Sequence, residues 1–256
     1  MVKAVLVDIS RCMGCRGCQV ACKQWNERKG QSTRFGANFT SPTKLNAETY
    51  TRIRFVEAEE NQRPVWSFVK EQCFHCQTPA CASACPVGAL EKTEHGPVTY
   101  SFDKCIGCRY CMIACPFDIP KYEWDVRDPS VQKCGFCSER ISEGMEPACI
   151  KTCPSQAMYF DDLPKVVAEA KKRLSAAPNR YVNYIYGLEE VGGTSWMYIS
   201  DVPFEKLGFK TGLPKERLPD YTWAPLSTIP FKVAGFFALL GTVAYLRNRG
   251  SKEDNA

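Results

Sequence analysis

At 256 residues the chain can form one large domain or two small ones, with a core that needs no disulfide staples. Its 33 basic and 28 acidic residues leave a formal charge of +5, too mild for a nucleic-acid-binding surface. No aromatic-plus-basic RNA signature and no helix-turn-helix pattern accompanies that balance, so nucleic acid is not expected as a partner.

The first element, residues 2–9, reads as a strand running into Cys12. It lacks the basic start, apolar run and cleavage site of a signal peptide, and no twin-arginine pair is present. Cys12, Cys15, Cys18 and Cys22 follow at x2-x2-x3, then a helix carrying Lys23, Gln24, Trp25 and Asn26. About fifty residues separate this group from Cys73. They include the polar stretch Gly30–Thr43; Gly30–Ala47 is expected to lie against a partner subunit. Tyr50–Glu57 and residues 64–71 read as strands.

The second group, Cys73, Cys76, Cys81 and Cys85, is spaced x2-x4-x3 and precedes Pro86. Gly96–Phe102 reads as a hairpin. The third group is Cys105-Ile-Gly-Cys108-Arg-Tyr-Cys111-Met-Ile-Ala-Cys115-Pro116, the C-x2-C-x2-C-x3-C-P run with which bacterial-type ferredoxins hold [4Fe–4S] clusters. A return strand at Lys121–Trp124 leads to the fourth group, Cys134, Cys137, Cys149 and Cys153, spaced x2-x11-x3 before Pro154, with a helical turn and loop over Ser138–Pro147. Asp161 and Asp162 are placed to cap a helix over Leu163–Ala176, with Pro164 in its first turn and Val166, Val167, Ala170 and Leu174 as its apolar stripe. Tyr181–Tyr186 and Ser195–Ser200 read as paired strands around Gly187–Gly193.

All 16 cysteines fall into these groups and none is left over. Disulfide frameworks belong to shorter chains, and zinc could be read into the second and fourth groups. Neither explains the repeated x3-Cys, three times followed by proline. Four [4Fe–4S] cubanes with four thiolates each do; a [3Fe–4S] cluster at one site stays open, although no group lacks a ligand. In two-cluster ferredoxins the fourth cysteine of a run ligates the other cluster. By that rule Cys73, Cys76, Cys81 and Cys115 hold one cluster, and Cys85, Cys105, Cys108 and Cys111 another. The remaining groups pair as Cys12, Cys15, Cys18 with Cys153, and Cys22 with Cys134, Cys137, Cys149. The expected fold class is α+β: an outer ferredoxin-like module (1–70 and 116–200) with an inner one (71–115) nested in it. His75 and His95 are not expected as ligands. No Ser/His/Asp set, dinucleotide fingerprint or P-loop is present, so the chain reads as a wire rather than a catalyst.

Beyond an expected extended linker (201–228, Pro-rich from Leu213 to Pro230), Val233–Leu246 contains no charge. From Ile229 the run spans roughly 27 Å as a helix, close to a hydrocarbon core of about 30 Å. We expect a membrane anchor at 229–247 and a polar tail at 248–256. Lys232 can snorkel, Trp223 and Tyr245 sit at interface positions, and Gly235 and Gly241 permit close helix approach. Arg247, Arg249 and Lys252 favour a cytoplasmic C-terminus, hence a single-pass protein of the cell membrane with its cluster domain in the periplasm, exported with a partner that carries the signal.

With those residues in view, the chain resembles the iron–sulfur subunits of molybdopterin oxidoreductases. The start Val7-Asp-Ile-Ser-Arg-Cys12-Met-Gly-Cys15-Arg-Gly-Cys18-Gln-Val-Ala-Cys22-Lys-Gln-Trp25 is similar to formate dehydrogenase beta subunits. So are Cys73-Phe-His-Cys76, Cys115-Pro-Phe-Asp-Ile-Pro120, Glu146-Pro-Ala-Cys149-Ile-Lys-Thr-Cys153-Pro154, Val191-Gly-Gly-Thr194 and a membrane anchor after Gly212-Leu-Pro214. Ferredoxin-like hydrogenase subunits share much of this pattern. The resemblance implies a non-catalytic electron-transfer subunit of a formate-oxidising complex. Its partners would be a large molybdenum- or tungsten-pterin catalytic subunit, a membrane cytochrome b or quinone-reducing subunit, and membrane lipid. Arg16, Lys23, Arg109 and Lys151, beside ligands, are expected to raise cluster potentials.

Overall fold

The computed structural model describes residues 1–32, 39–60, 63–127 and 129–253. Part of Gly30–Ala47 and the end of the polar tail therefore lie outside the described residues. The elements in order are β1 (Lys3–Asp8), α1 (Gly17–Trp25), β2 (Arg52–Glu60), β3 (Arg63–Glu71), α2 (Ala80–Ser83), β4 (Leu90–Lys92), β5 (Val98–Tyr100) and α3 (Tyr110–Ala114). Then come β6 (Lys121–Tyr122), β7 (Val131–Gln132), α4 (Ser138–Ser142), α5 (Ala148–Lys151), β8 (Met158–Asp162), α6 (Leu163–Ala176), β9 (Trp196–Ile199), α7 (Leu218–Leu226) and α8 (Ile229–Glu253). The chain divides into two compact units, Met1–Arg217 and Leu218–Ala256.

In the first unit β1 is the middle strand of three, antiparallel to β8 and parallel to β9. Both of its faces are buried, which accounts for its nearly continuous apolar sequence. Ala4 and Leu6 meet Val166 and Ala170 of α6; Val5 and Val7 face the larger core with Phe136, Trp196 and Tyr198. β2 and β3 form a long hairpin in the register Arg52↔Glu71. Two short hairpins, β4–β5 and β6–β7, complete the strands. α1 meets α5, and α2 meets α3, so two pairs of cysteine-bearing helices stand in the body.

Several elements differ from expectation. The first helix starts at Gly17, not after Cys22, so Cys18 and Cys22 share one of its faces at i, i+4. Tyr181–Tyr186 is not a strand: the Tyr184 amide turns back onto Val182 O at 2.7 Å, leaving a single bridge, Tyr186↔Tyr198. Asp162 stands at the N-cap of α6, but no cap bond forms; its carboxylate accepts from Lys3 Nζ at 2.8 Å instead. The stretch 201–228 is not wholly extended. Val202, Phe204 and Leu207 are buried in the main core, Phe209 packs edge-on against Tyr186 and Tyr198, and Leu218–Leu226 is helical. Within 39–47, the Ser41 carbonyl accepts from Gln19, the Thr40 hydroxyl accepts from the Phe55 amide, and Leu45 is buried.

Among the described residues the second unit has one helix long and apolar enough to cross a membrane, and its apolar run is not buried. Phe231, Phe236, Phe237 and Leu239 are all exposed around its axis. A helix apolar on every side suits lipid rather than one face of a core.

Candidate iron–sulfur site

All sixteen cysteines carry free thiols. Four loops present them with one repeated backbone device. The residue two positions after the leading cysteine has positive φ in each loop: Gly14 at 68°, His75 at 48°, Gly107 at 69° and Phe136 at 59°. That turn aims its own amide at the leading sulfur. The amides of His75, Gly107 and Phe136 lie 3.4–3.5 Å from Cys73, Cys105 and Cys134 Sγ, and the Gly14 amide likewise serves Cys12. Amide donors favour a thiolate, the form that binds iron.

Each Cys-Pro pair ends in a second tight turn. The amides of Gly88, Asp118 and Gln156 return to the carbonyls of Cys85, Cys115 and Cys153 at 3.4, 3.2 and 3.3 Å. In the first of these turns four amides converge on the Cys85 sulfur, Ala89 N at 3.2 Å among them. Burial works against the Cys85 thiolate, but those amides outweigh it and hold its pKa below the ordinary thiol value.

Glycine is required at Gly14 on two counts. Its φ is left-handed, and a Cβ there would sit 2.8 Å from the Phe68 ring. Gly135, in the equivalent loop of the fourth group, has open space and an ordinary φ. Gly14→Ala is expected to destabilise the folded chain by about 2 kcal/mol, and Gly135→Ala by less than about 0.5 kcal/mol. Paired denaturation curves on the two variants check this.

Burial raises most of the other thiol pKa values: Cys18, Cys22 and Cys81 to about 12, Cys111 and Cys115 to about 11, and Cys76 and Cys134 well beyond the thiol range. Neighbouring thiols raise them further, and for four of them the strongest such neighbours belong to one set. Cys12 feels Cys153 and Cys15; Cys22 feels Cys149 and Cys137; Cys76 feels Cys73, Cys115 and Cys81; Cys111 feels Cys108, Cys105 and Cys85. Links also run between the sets: Cys149 acts on Cys18 more than Cys12 or Cys15 does, Cys73 acts on Cys134 more than Cys137 or Cys149 does, and a weaker link joins Cys81 to Cys111.

A thiol whose folded pKa is raised stabilises the fold below its unfolded value of 9.0 and loses that contribution as pH climbs toward about 12. The iron-free chain should therefore lose thermal stability between about pH 9 and about pH 12, whereas iron, by replacing the protons, removes this dependence. Melting curves of the two forms across that range test it; a flat profile for the iron-free chain would refute the burial of these thiols.

The donor chemistry fits [4Fe–4S] groups. Among the described residues no three His, Cys, Asp or Glu side chains close on one ion. A tetrahedral zinc, with Zn–S near 2.3 Å, would need sulfurs about 3.8 Å apart. Cys12, Cys15, Cys18 and Cys153 instead line one cavity, with Val7, Ile53 and Met158 on its walls and Arg16 and Lys70 beside them. Four thiols and two cations around one space suit an anionic cubane.

His75 is fully buried; its Nδ1 accepts the Val98 amide at 2.9 Å, and its ring stacks on Phe136 at 4.9 Å. Burial, then Lys133 and Lys92, drive its pKa well down, so it is neutral. Of the charges expected beside the ligands, Arg109 and Lys151 are exposed, whereas Lys23 is half-buried and Arg16 lines the cavity shared by Cys12, Cys15, Cys18 and Cys153. Arg16 covers the Phe55 ring at 4.7 Å, Arg109 sits between Tyr122 and Trp124, Lys23 donates to the carbonyls of Lys29 and Glu48, and Lys151 is exposed. Among the described residues the buried cations are Arg52, Lys70 and Lys133, and Lys92 is half-buried; motif spacing did not single them out. Lys92 donates to the carbonyls of His75 and Cys76, and Lys133 to those of Val98 and Cys134.

Comparison with known proteins agrees with this geometry. The 4Fe-4S dicluster domain matches twice, over residues 11–89 and 64–163. The nitrate-inducible formate dehydrogenase iron-sulfur subunit of Escherichia coli K12 is 37% identical over 244 residues, 92% of this chain and 81% of that one. The hydrogenase-2 operon protein HybA of Escherichia coli O157:H7 is 34% identical over 234 residues, 79% of this chain and 71% of its own length. A protein of Nitratidesulfovibrio vulgaris is 40% identical over 94% of this chain, which spans only 65% of that longer relative. With matches of this extent to such subunits, and with thiols arranged to suit [4Fe–4S] groups, the chain belongs to the family of formate dehydrogenase iron–sulfur subunits.

Proposed function

We propose that the chain relays electrons through four [4Fe–4S] clusters, from a molybdenum- or tungsten-pterin subunit that oxidises formate to a cytochrome b or quinone-reducing partner in the membrane. The observation that carries this reading is the repeated amide-to-sulfur turn in all four cysteine loops, together with the cavity lined by Cys12, Cys15, Cys18 and the distant Cys153. The ligand sets proposed are Cys12, Cys15, Cys18, Cys153; Cys22, Cys134, Cys137, Cys149; Cys73, Cys76, Cys81, Cys115; and Cys85, Cys105, Cys108, Cys111. Each bound cluster would supply one reversible electron. The protein's own part is to hold the thiols, to turn amides toward the leading sulfurs, and to bury Cys18, Cys22, Cys73, Cys111 and Cys149.

The proposed organisation is an outer module (1–70 and 116–200) closing around an inner one (71–115). Two features support it: α1 from the first group meets α5 from the fourth, while α2 and α3 from the middle groups meet each other. We further propose that 229–247 anchors the chain by a single pass, with the cluster body in the periplasm and the C-terminus in the cytoplasm. The likeness to HybA supports a second reading, in which the same relay serves a hydrogenase.

The test is anaerobic isolation of the native complex in mild detergent, with iron analysis and dye reduction by formate and by hydrogen. About sixteen irons per chain and formate-driven reduction are expected. Hydrogen-driven reduction beside a nickel–iron subunit would move the chain to the second reading. Stoichiometric zinc without visible absorbance would overturn both.

A further inference from the structure

Among the described residues Lys70 is the one buried lysine that donates only to uncharged side chains. It is 3% exposed at the end of β3, directly opposite Ile53 of β2. Its ammonium donates to Thr51 Oγ1 at 2.6 Å and Gln72 Oε1 at 3.0 Å, and lies 4.7 Å from the centre of the Trp196 ring. An ammonium has three donors, and these two bonds leave the third. A small ring of bonds fixes the side chain: Gln72 Nε2 donates to Tyr198 OH at 2.6 Å, and Tyr198 OH donates to Lys70 O at 3.2 Å. Lys70 enters no ion pair among the described residues. A buried cation without a counter-ion is costly, so the site calls for an anion.

The structure supplies a place for that anion. Lys70 lines the same cavity as Cys12, Cys15, Cys18 and Cys153. It also acts electrostatically on Cys22 and Cys137, members of the adjacent set. Lys92 and Lys133, by contrast, act on Cys76 and Cys81. We propose that Lys70 is a positioning residue that supplies the internal counter-charge for the two clusters held by Cys12, Cys15, Cys18, Cys153 and by Cys22, Cys134, Cys137, Cys149, and that it raises their reduction potentials. This rests on the proposed ligand sets. The physical reason is direct: a thiolate-ligated cluster is anionic and gains negative charge on reduction, so a fixed ammonium in a low-dielectric interior favours the reduced form.

The experiment is a redox titration of the purified complex, followed by electron paramagnetic resonance, on the wild type, Lys70→Met and Lys70→Arg, with iron counted in each. Methionine keeps bulk and removes charge; arginine keeps charge. Wild-type protein without four [4Fe–4S] clusters would fail the underlying reading, whatever the variants do. Given four clusters, Lys70→Met should make two of them harder to reduce by about tenfold in equilibrium constant, about 59 mV each, and move the other two by less than about threefold. Lys70→Arg should restore at least half of that shift. No shift, or an equal shift in all four, overturns the proposal while leaving the relay intact. If Lys70→Met assembles poorly, the iron count decides. Loss of about half the iron, rescued by arginine, supports the counter-charge; equal loss in both variants shows a need for lysine's shape and overturns it.

Discussion

Cys153→Ala should remove one whole cluster from the chain, about four of about sixteen irons, and abolish electron flow from formate to quinone while leaving formate oxidation by the catalytic subunit able to proceed with artificial acceptors. The size of this effect follows from where Cys153 comes from. Cys12, Cys15 and Cys18 are delivered by one loop and the start of α1, whereas Cys153 arrives from beyond α5, well over a hundred residues later. The cavity they share also takes walls from β1 and β8, through Val7 and Met158. Removing this thiol leaves three local ligands and deletes the tie between the two ends of the proposed outer module. Cys18 and Cys22 lie on the same helix face in adjacent sets, so some loss at the second cluster is also expected. Cys153→Ser keeps an oxygen ligand at the position and should retain more iron than alanine. Iron analysis together with separate dye and quinone assays would show both effects. Full iron content in Cys153→Ala would refute the assignment of this cysteine.

The cysteine pattern made the cluster chemistry legible because ligand spacing is a local property of the chain. The loops that carry it are short, and their turns are set by residues within a few positions, as at Gly14 and Gly107. The strands β1, β2 and β3 were legible for the same reason, through alternation and apolar runs. Tyr181–Tyr186 was misread because its apolar pattern suits a strand, while one local amide-to-carbonyl turn at Tyr184 interrupts the ladder. The stretch 201–228 was misread because proline content suggested a free linker, whereas Phe204 and Phe209 find partners contributed by Tyr186 and Tyr198. The charges were legible only in part. Arg16, Lys23, Arg109 and Lys151 adjoin ligands in sequence; Arg109 and Lys151 reach the surface, whereas Arg16 lines the cavity of Cys12, Cys15, Cys18 and Cys153. Lys70 comes into play from three residues before Cys73, because the β2–β3 hairpin turns its side chain inward. Alternation gave no hint of that, since the neighbouring Val69 is buried as well.

Truncation after Arg217 should release the chain from the membrane without costing it iron. The first unit, Met1–Arg217, contains every cysteine and the whole of the buried core, and it is compact in itself. The second unit is a different kind of structure. α8 has 25 residues, a length of about 37 Å at 1.5 Å per residue, enough to cross a hydrocarbon core of about 30 Å. Its apolar side chains cover the full circumference, a composition that water does not reward. Lys232 and Arg247 bracket the uncharged run at spacings that let each charge reach a headgroup region. The truncated complex is therefore expected to keep formate-driven dye reduction and lose most of its membrane-bound fraction and its quinone reduction. Phe237→Arg offers a milder version, placing a charge near the centre of the span at an insertion cost of about 3 kcal/mol. It should lower membrane retention less than truncation does, and by more than Phe231→Arg, which lies near the end of the span where snorkelling is possible. Sedimentation of membranes at high salt, followed by quantification of the chain in pellet and supernatant, reads all three. If the truncated chain stays in the pellet with quinone reduction intact, the partner subunits alone hold the complex to the membrane and α8 has another role.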